Sequence, residues 1–125
     1  MKIDQLKTRW NNQVERCGFI LNNGDIVEVE NIHPQPHLAF EINPDVVIKY
    51  RDSACASWHT HPTTGSNLSV EDYHLFCQWP QWFHYIVSEH DVWCYFVKDN
   101  RVILHDENDP PPRGPEVLSA GGASD

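Results

Sequence analysis

Ile3, Leu6, Trp10 and Val14 recur at three- and four-residue intervals with polar residues between them. That spacing predicts an amphipathic helix over residues 3–14. The run Cys17-Gly18-Phe19-Ile20-Leu21 is short and continuously apolar, as in a buried strand. Asn22-Asn23-Gly24-Asp25 follows, and Asn-Gly accepts the positive φ angles of a tight hairpin turn. Residues 26–32 alternate: Ile26, Val27, Val29 and Ile32 are broken by Glu28, Glu30 and Asn31, predicting a half-buried second strand. Pro34 and Pro36 mark a loop, and Leu38 to Ile42 reads as a third strand. Asn43-Pro44-Asp45 has a capping side chain, a proline for the first helical position and an acid for the positive end of the dipole. A short helix to about Arg51 is expected, then a central strand from Ala54 to His59.

Ser69, followed by Glu71 and Asp72, is a helix start; the helix should end near Gln78, before Pro80. Phe83–Val87, Val92–Val97 and Val102–His105 predict three more strands, with turns at 88–91 and at Asp99-Asn100. This order predicts an α/β domain over residues 1–105, a mixed sheet flanked by helices. Residues 106–125 hold Pro110, Pro111, Pro112, Pro115 and three glycines, but few apolar residues. Such a segment buries too little surface to offset its ordering entropy, so a disordered tail or linker is expected.

The 125 residues suit one domain. They are too few for an eight-fold βα barrel, which needs roughly 200 or more. A net charge of −9 argues against nucleic acid, whose phosphates call for clustered Lys and Arg. The N-terminus has no apolar run, and no stretch approaches the roughly 18 apolar residues of a membrane span. A soluble protein made in a cytosol is expected. Cys17, Cys55, Cys77 and Cys94 form no Cys-x-x-Cys pair, so a four-thiolate zinc site is not expected; reduced structural thiols are.

The chemistry concentrates in His59-Thr60-His61-Pro62, with Ser69 and Asp72 further on. Residues two apart on a strand share a face, so His59 and His61 project together. Asp72 stands in the first turn of the following helix. Two imidazole nitrogens and one carboxylate oxygen make three ligands, the number typical of a catalytic zinc with one position left open. A base is still required, a role suited to glutamate, and Ser69 could stabilise an oxyanion. Composition alone does not choose among Glu15, Glu28, Glu30, Glu41, Glu71 and Glu89 for the base. His33, His37, His74, His84, His90 and His105 are scattered and read as surface or core residues.

The pattern His-x-His-Pro-x6-Ser-x-x-Asp resembles the JAMM motif of the JAB/MPN zinc metalloproteases. Glu15-Arg16-Cys17-Gly18-Phe19-Ile20-Leu21 also matches the setting of that family's general base. The resemblance covers about residues 5–105. It implies His59, His61 and Asp72 as ligands of one catalytic Zn2+, Glu15 as base and Ser69 as oxyanion stabiliser. It implies an α-β-α sandwich similar to cytidine deaminases, although the deaminase signature itself is absent. Phe40-Glu41-Ile42-Asn43-Pro44-Asp45 and Trp79-Pro80-Gln81-Trp82 look most like the JAMM domain of bacteriophage tail-assembly and tail-tip proteins. The activity implied is hydrolysis of a peptide or isopeptide bond after Gly-Gly of a ubiquitin-like or phage tail protein, in a cytosol or on a virion tail. Self-processing at Gly121-Gly122 is a minor variant. The alternatives are a silent MPN structural or binding module and a zinc hydrolase of small amides. No nucleic acid or membrane partner is implied.

Overall fold

The structure, a computed structural model, describes residues 3–105. Its elements are α1 (Ile3–Lys7), β1 (Cys17–Leu21), β2 (Ile26–Val29), α2 (Pro44–Tyr50), β3 (Ala54–Thr60), α3 (Val70–Gln78), β4 (Phe83–Val87), β5 (Val92–Lys98) and β6 (Arg101–Leu104). The strands form one mixed sheet in the order β2-β1-β3-β4-β5-β6. Among the described residues only β3 and β4 pair in parallel; the other pairs are antiparallel. The parallel pair is joined by α3, as a crossover requires. The α/β class and the mixed sheet flanked by helices agree with the sequence reading.

Two predicted turns are present. Gly24 takes φ 95° between β1 and β2. Asp99 and Asn100 take φ 53° and 62° between β5 and β6. Both are residue types that tolerate the left-handed region, and paired positive φ values match the twist of a two-residue hairpin. Asn43 caps α2 through a side chain that accepts from Asp45 N, with Pro44 in the first turn.

Two other expectations fail. The helix stops at Lys7, well short of residue 14. Asn11 Oδ1 accepts from Gln13 N and Val14 N, so a side chain supplies the local hydrogen bonds and turns the chain there. Leu38 to Ile42 is not a strand. The Asn31 side chain takes the Ala39 carbonyl and the Glu41 amide, groups a ladder would otherwise have used. Leu38, expected on a strand, is 63 % exposed. Residue-level adjustments are smaller: β2 ends at Val29, β3 reaches Thr60, and β6 runs 101–104. The predicted tail, 106–125, lies outside the described residues.

The sheet buries both faces. On one face Ile20, Ala56, Trp58, Phe83, Tyr85 and Val87 cluster with Leu6 of α1. On the other, Phe76 of α3 packs with Ile86, Tyr95 and Val97. Beside it Phe19, Ala54 and Trp82 pack with Val46, Val47 and Tyr50 of α2. Complete burial of a side chain such as Phe76 contributes about 1.5–3 kcal/mol. His84 belongs to this second face and is neutral. Its Nδ1 lies 2.6 Å from Ser57 Oγ and its Nε2 lies 3.0 Å from the Trp79 carbonyl, so Nε2 carries the proton and Ser57 donates to Nδ1. Burial pushes its pKa down to about 3. All four cysteines are free, and burial raises the Cys17 thiol to about 12. Among the described residues no helix is long and apolar enough to cross a membrane.

Gly18 sits where β1 crosses Trp58 of β3. An added Cβ would meet the Val27 carbonyl oxygen at 1.9 Å and Trp58 Nε1 at 2.9 Å. Gly18→Ala is therefore expected to cost about 1–3 kcal/mol through backbone displacement, read as a lower urea midpoint. A midpoint equal to wild type would show that β1 and β2 can part without cost. His84 also predicts acid lability. Its pKa is lower folded than unfolded, so its contribution is complete above about pH 6.5 and shrinks as pH falls toward 3. The fall in urea midpoint between pH 7 and pH 4.5 should be smaller in His84→Gln; an identical fall would exclude His84 as its source.

Candidate metal centre

In open α/β sheets, crevices form at the carboxyl ends of parallel strands. Here that place is the end of β3. Trp58 enters one sheet face, and His59, fully buried, enters the other. His61 follows one residue past the strand, with its amide on the Val87 carbonyl at 2.8 Å. Its own carbonyl accepts from Trp10 Nε1 at 3.0 Å. Those two bonds hold the chain so that His59 Nε2 and His61 Nε2 lie 3.1 Å apart. The Phe40 ring stacks on His59 at 4.4 Å between centroids. The loop after Pro62 is held down by Tyr95 Oη, which donates to the Ser66 carbonyl at 2.9 Å.

Asp72 arrives from the start of α3. Ser69 is the N-cap: its Oγ accepts from Asp72 N, while Asp72 Oδ2 accepts from Ser69 N, each at 3.1 Å. This reciprocal pair satisfies two orphan donors of the helix start and fixes the carboxylate. Asp72 Oδ1 then lies 3.2 Å from His59 Nε2, and Oδ2 lies 3.1 Å from His61 Nε2. Burial alone would raise the Asp72 pKa, but bonds from both imidazoles and from Ser69 N hold it well below the carboxylate range. Ser69 itself is exposed at the mouth, and its hydroxyl proton is left to donate outward.

Glu15 reaches the same place from the segment just before β1. Cys17 faces His59 across the β1–β3 ladder, and Thr60 N donates to the Arg16 carbonyl one step on. Continued one residue further, that register sets Glu15 opposite His61. Glu15, His59 and His61 offer ligand atoms that all lie within 4.8 Å of one another. Glu15 is 8 % exposed; burial, reinforced by Asp72 and opposed by His61, raises its pKa to about 7.

The donor set fits a divalent cation. His61 Nδ1 lies 2.8 Å from the Gly65 carbonyl, which makes Nδ1 the protonated nitrogen of the neutral ring. The Nε2 lone pair then faces Asp72 Oδ2 and His59 Nε2. Both Nε2 atoms and both Asp72 oxygens converge at 3.1–3.2 Å, a set that a cation, or a proton on an imidazole Nε2, holds together. Four-coordinate zinc with bonds of about 2.0–2.2 Å separates its ligand atoms by roughly 3.3–3.6 Å, close to this spacing. Without a metal, a proton takes that role: burial opposes it, but Asp72 and the Gly65 carbonyl raise the His61 pKa above its ordinary value. His59 is shifted the other way, chiefly by burial.

The five residues singled out from sequence thus meet at one end of the sheet: Glu15, His59, His61 and Asp72 as a buried cluster, Ser69 beside them at the cap. Other contributors were not singled out. Phe40 had been assigned to a strand and Trp10 to a helical stripe. Gly65 acts through its carbonyl, which no side-chain pattern reveals. Asn31 Nδ2 donates to the Glu15 carbonyl at 2.9 Å, tying the base-bearing segment to the 31–41 loop.

No family model and no curated protein matches the sequence. Among solved structures the fold is similar to the solution structure of protein DSY2949 from Desulfitobacterium hafniense, a structural-genomics target. The TM-score is 0.62 at 18 % identity, over 83 % of this chain and 85 % of that one. At that identity the likeness establishes the fold alone.

A buried cluster of this kind predicts strong linkage between metal and stability. Zinc at about 100-fold over its Kd should stabilise the protein by about 2.7 kcal/mol, with one ion per chain. His59→Ala and Asp72→Ala should abolish the gain in a thermal melt, and Glu15→Gln should keep it. A melt unmoved by zinc in the wild-type protein would reject the centre.

Proposed function

We propose that this protein is a zinc-dependent hydrolase of peptide or isopeptide bonds, of the JAMM type its motif resembles. The observation that supports this reading most is the meeting of Glu15 with His59, His61 and Asp72. A structural site would need only ligands. This one also buries a further carboxylate, Glu15, whose pKa burial raises above the ordinary carboxylate value, the direction that suits a general base.

Two ligand sets are geometrically available, and both include His59 and His61. We assign Asp72 rather than Glu15 as the third ligand. Asp72 is the ionised carboxylate and touches both imidazoles at 3.1–3.2 Å. Glu15 lies in the wider 4.8 Å group and is left for proton transfer. A zinc ion held there supplies Lewis acidity, which polarises a carbonyl and acidifies water. Glu15 takes a proton from the attacking water and hands it to the leaving amine. The Ser69 hydroxyl donates to the oxyanion that develops on the carbonyl oxygen. Asp72 and the Gly65 carbonyl keep His61 in one tautomer and one orientation.

The substrate we favour is a polypeptide, with the bond following Gly-Gly in a ubiquitin-like or phage tail protein. That choice rests on the likeness to phage tail JAMM domains.

The test is turnover by the zinc-loaded protein on a Gly-Gly fusion substrate, read by mass spectrometry. Glu15→Gln should lower the rate by about 10²–10⁴-fold while zinc stays bound. Ser69→Ala should lower the rate and also remove about 0.5–2 kcal/mol of capping stability. An unchanged rate in Glu15→Gln would overturn the base assignment. Zinc binding with no turnover on peptide or small-amide substrates would favour a silent module.

A further inference from the structure

A cavity of about 170 Å³ lies on the α2–α3 face of the sheet, separate from the metal centre. Its walls are mostly aromatic and aliphatic: Phe19, Phe40, Val47, Leu75, Trp79 and Trp82. An apolar cavity of roughly 150 Å³ is large enough to take up benzene. Two features distinguish it from a simple packing defect. The first is polar. Trp82 is 2 % exposed, and its Nε1 donor has no partner among the described residues. A buried N–H without an acceptor is costly, so a ligand in this Trp82-lined cavity that offers Nε1 an acceptor gains by removing that cost. Ser57, which also lines the cavity, donates to His84 Nδ1 and keeps its lone pairs.

The second feature is position. Exposed Glu41 and half-buried Ile42 line the cavity, which places its mouth on the 40–42 segment. Phe40 of that segment is shared: it lines the cavity and stacks on His59 at 4.4 Å. The cavity is thus one ring away from a metal ligand. An extended polypeptide advances about 3.3–3.6 Å per residue, so a chain crossing the centre could place a side chain here within a few residues of the reacting bond.

We propose that this cavity is a subsite for an aromatic side chain of the polypeptide substrate, tyrosine in particular, whose phenol oxygen accepts from Trp82 Nε1. The role of the occupant as substrate rests on the hydrolase reading; the binding of a phenol ring does not. The metal-free protein is titrated with p-cresol and with toluene, following the Trp82 indole N–H by NMR. Both probes should bind saturably, p-cresol about five-fold more tightly. Trp82→Phe, followed by the Phe40 and Val47 signals, should remove that preference and keep toluene binding. Val47→Phe and Ile42→Phe, each checked for native melting, should exclude both probes. In the zinc-loaded protein Val47→Phe should erase a preference for peptides with tyrosine near the cleaved bond and leave turnover of peptides lacking aromatic residues unchanged. No saturable shift with either probe, or equal binding of both, would overturn the subsite, whatever the turnover. Probe binding in a protein without peptidase activity would instead reject the hydrolase reading and the assignment of the occupant as substrate.

Discussion

The candidate centre depends first on the pairing of β1 with β3. Cys17 opposite His59, and Thr60 N on the Arg16 carbonyl, bring a carboxylate from the segment leading into the first strand to two imidazoles at the end of the third. Because side chains alternate along a strand, a slip of one residue would turn the facing set to the other side of the sheet. Gly18 helps fix that register, since only a residue without a side chain lets Trp58 and the Val27 carbonyl approach. The parallel pair β3–β4 does the rest. It sends the chain through a crossover whose helix starts at the carboxyl end of β3, and the first turn of that helix carries Asp72.

Capping and ligation share atoms. Asp72 Oδ2 accepts from the Ser69 amide and faces His61. The carboxylate is therefore oriented before any ion arrives, and a preorganised ligand loses less entropy on binding. His61 is steadied in the same way by the Gly65 carbonyl, the Val87 carbonyl and Trp10. The His59 ring has a different support, the face of Phe40. Its Nδ1 is buried without a partner among the described residues, so this imidazole is held by packing on one side and by the cluster on the other.

Much of the fold was legible because local rules and tertiary structure agree. The Asn-Gly hairpin, the Asn43-Pro44 helix start and the Ser69 cap each follow from one residue's backbone or hydrogen-bonding chemistry. The misreadings share a cause. Leu38–Ile42 has strand composition and residues 3–14 have helical spacing, yet Asn31 and Asn11 divert the backbone bonds each element would need. The site divides similarly. The placement of His59, His61 and Asp72 follows from spacing along one strand and the helix after it. Glu15 could be chosen over other glutamates only by resemblance, since strand register is a non-local property. Phe40, Gly65 and the cavity were not legible at all, because they arise from packing between segments distant in sequence.

Zinc K-edge absorption of the loaded protein tests the central claim most directly. The account predicts two imidazole nitrogens and one carboxylate oxygen from the protein, with an open position, and a spectrum unchanged in Glu15→Gln. A first shell that loses an oxygen in Glu15→Gln and keeps it in Asp72→Asn would contradict it, because Glu15 would then be a ligand and no base would remain.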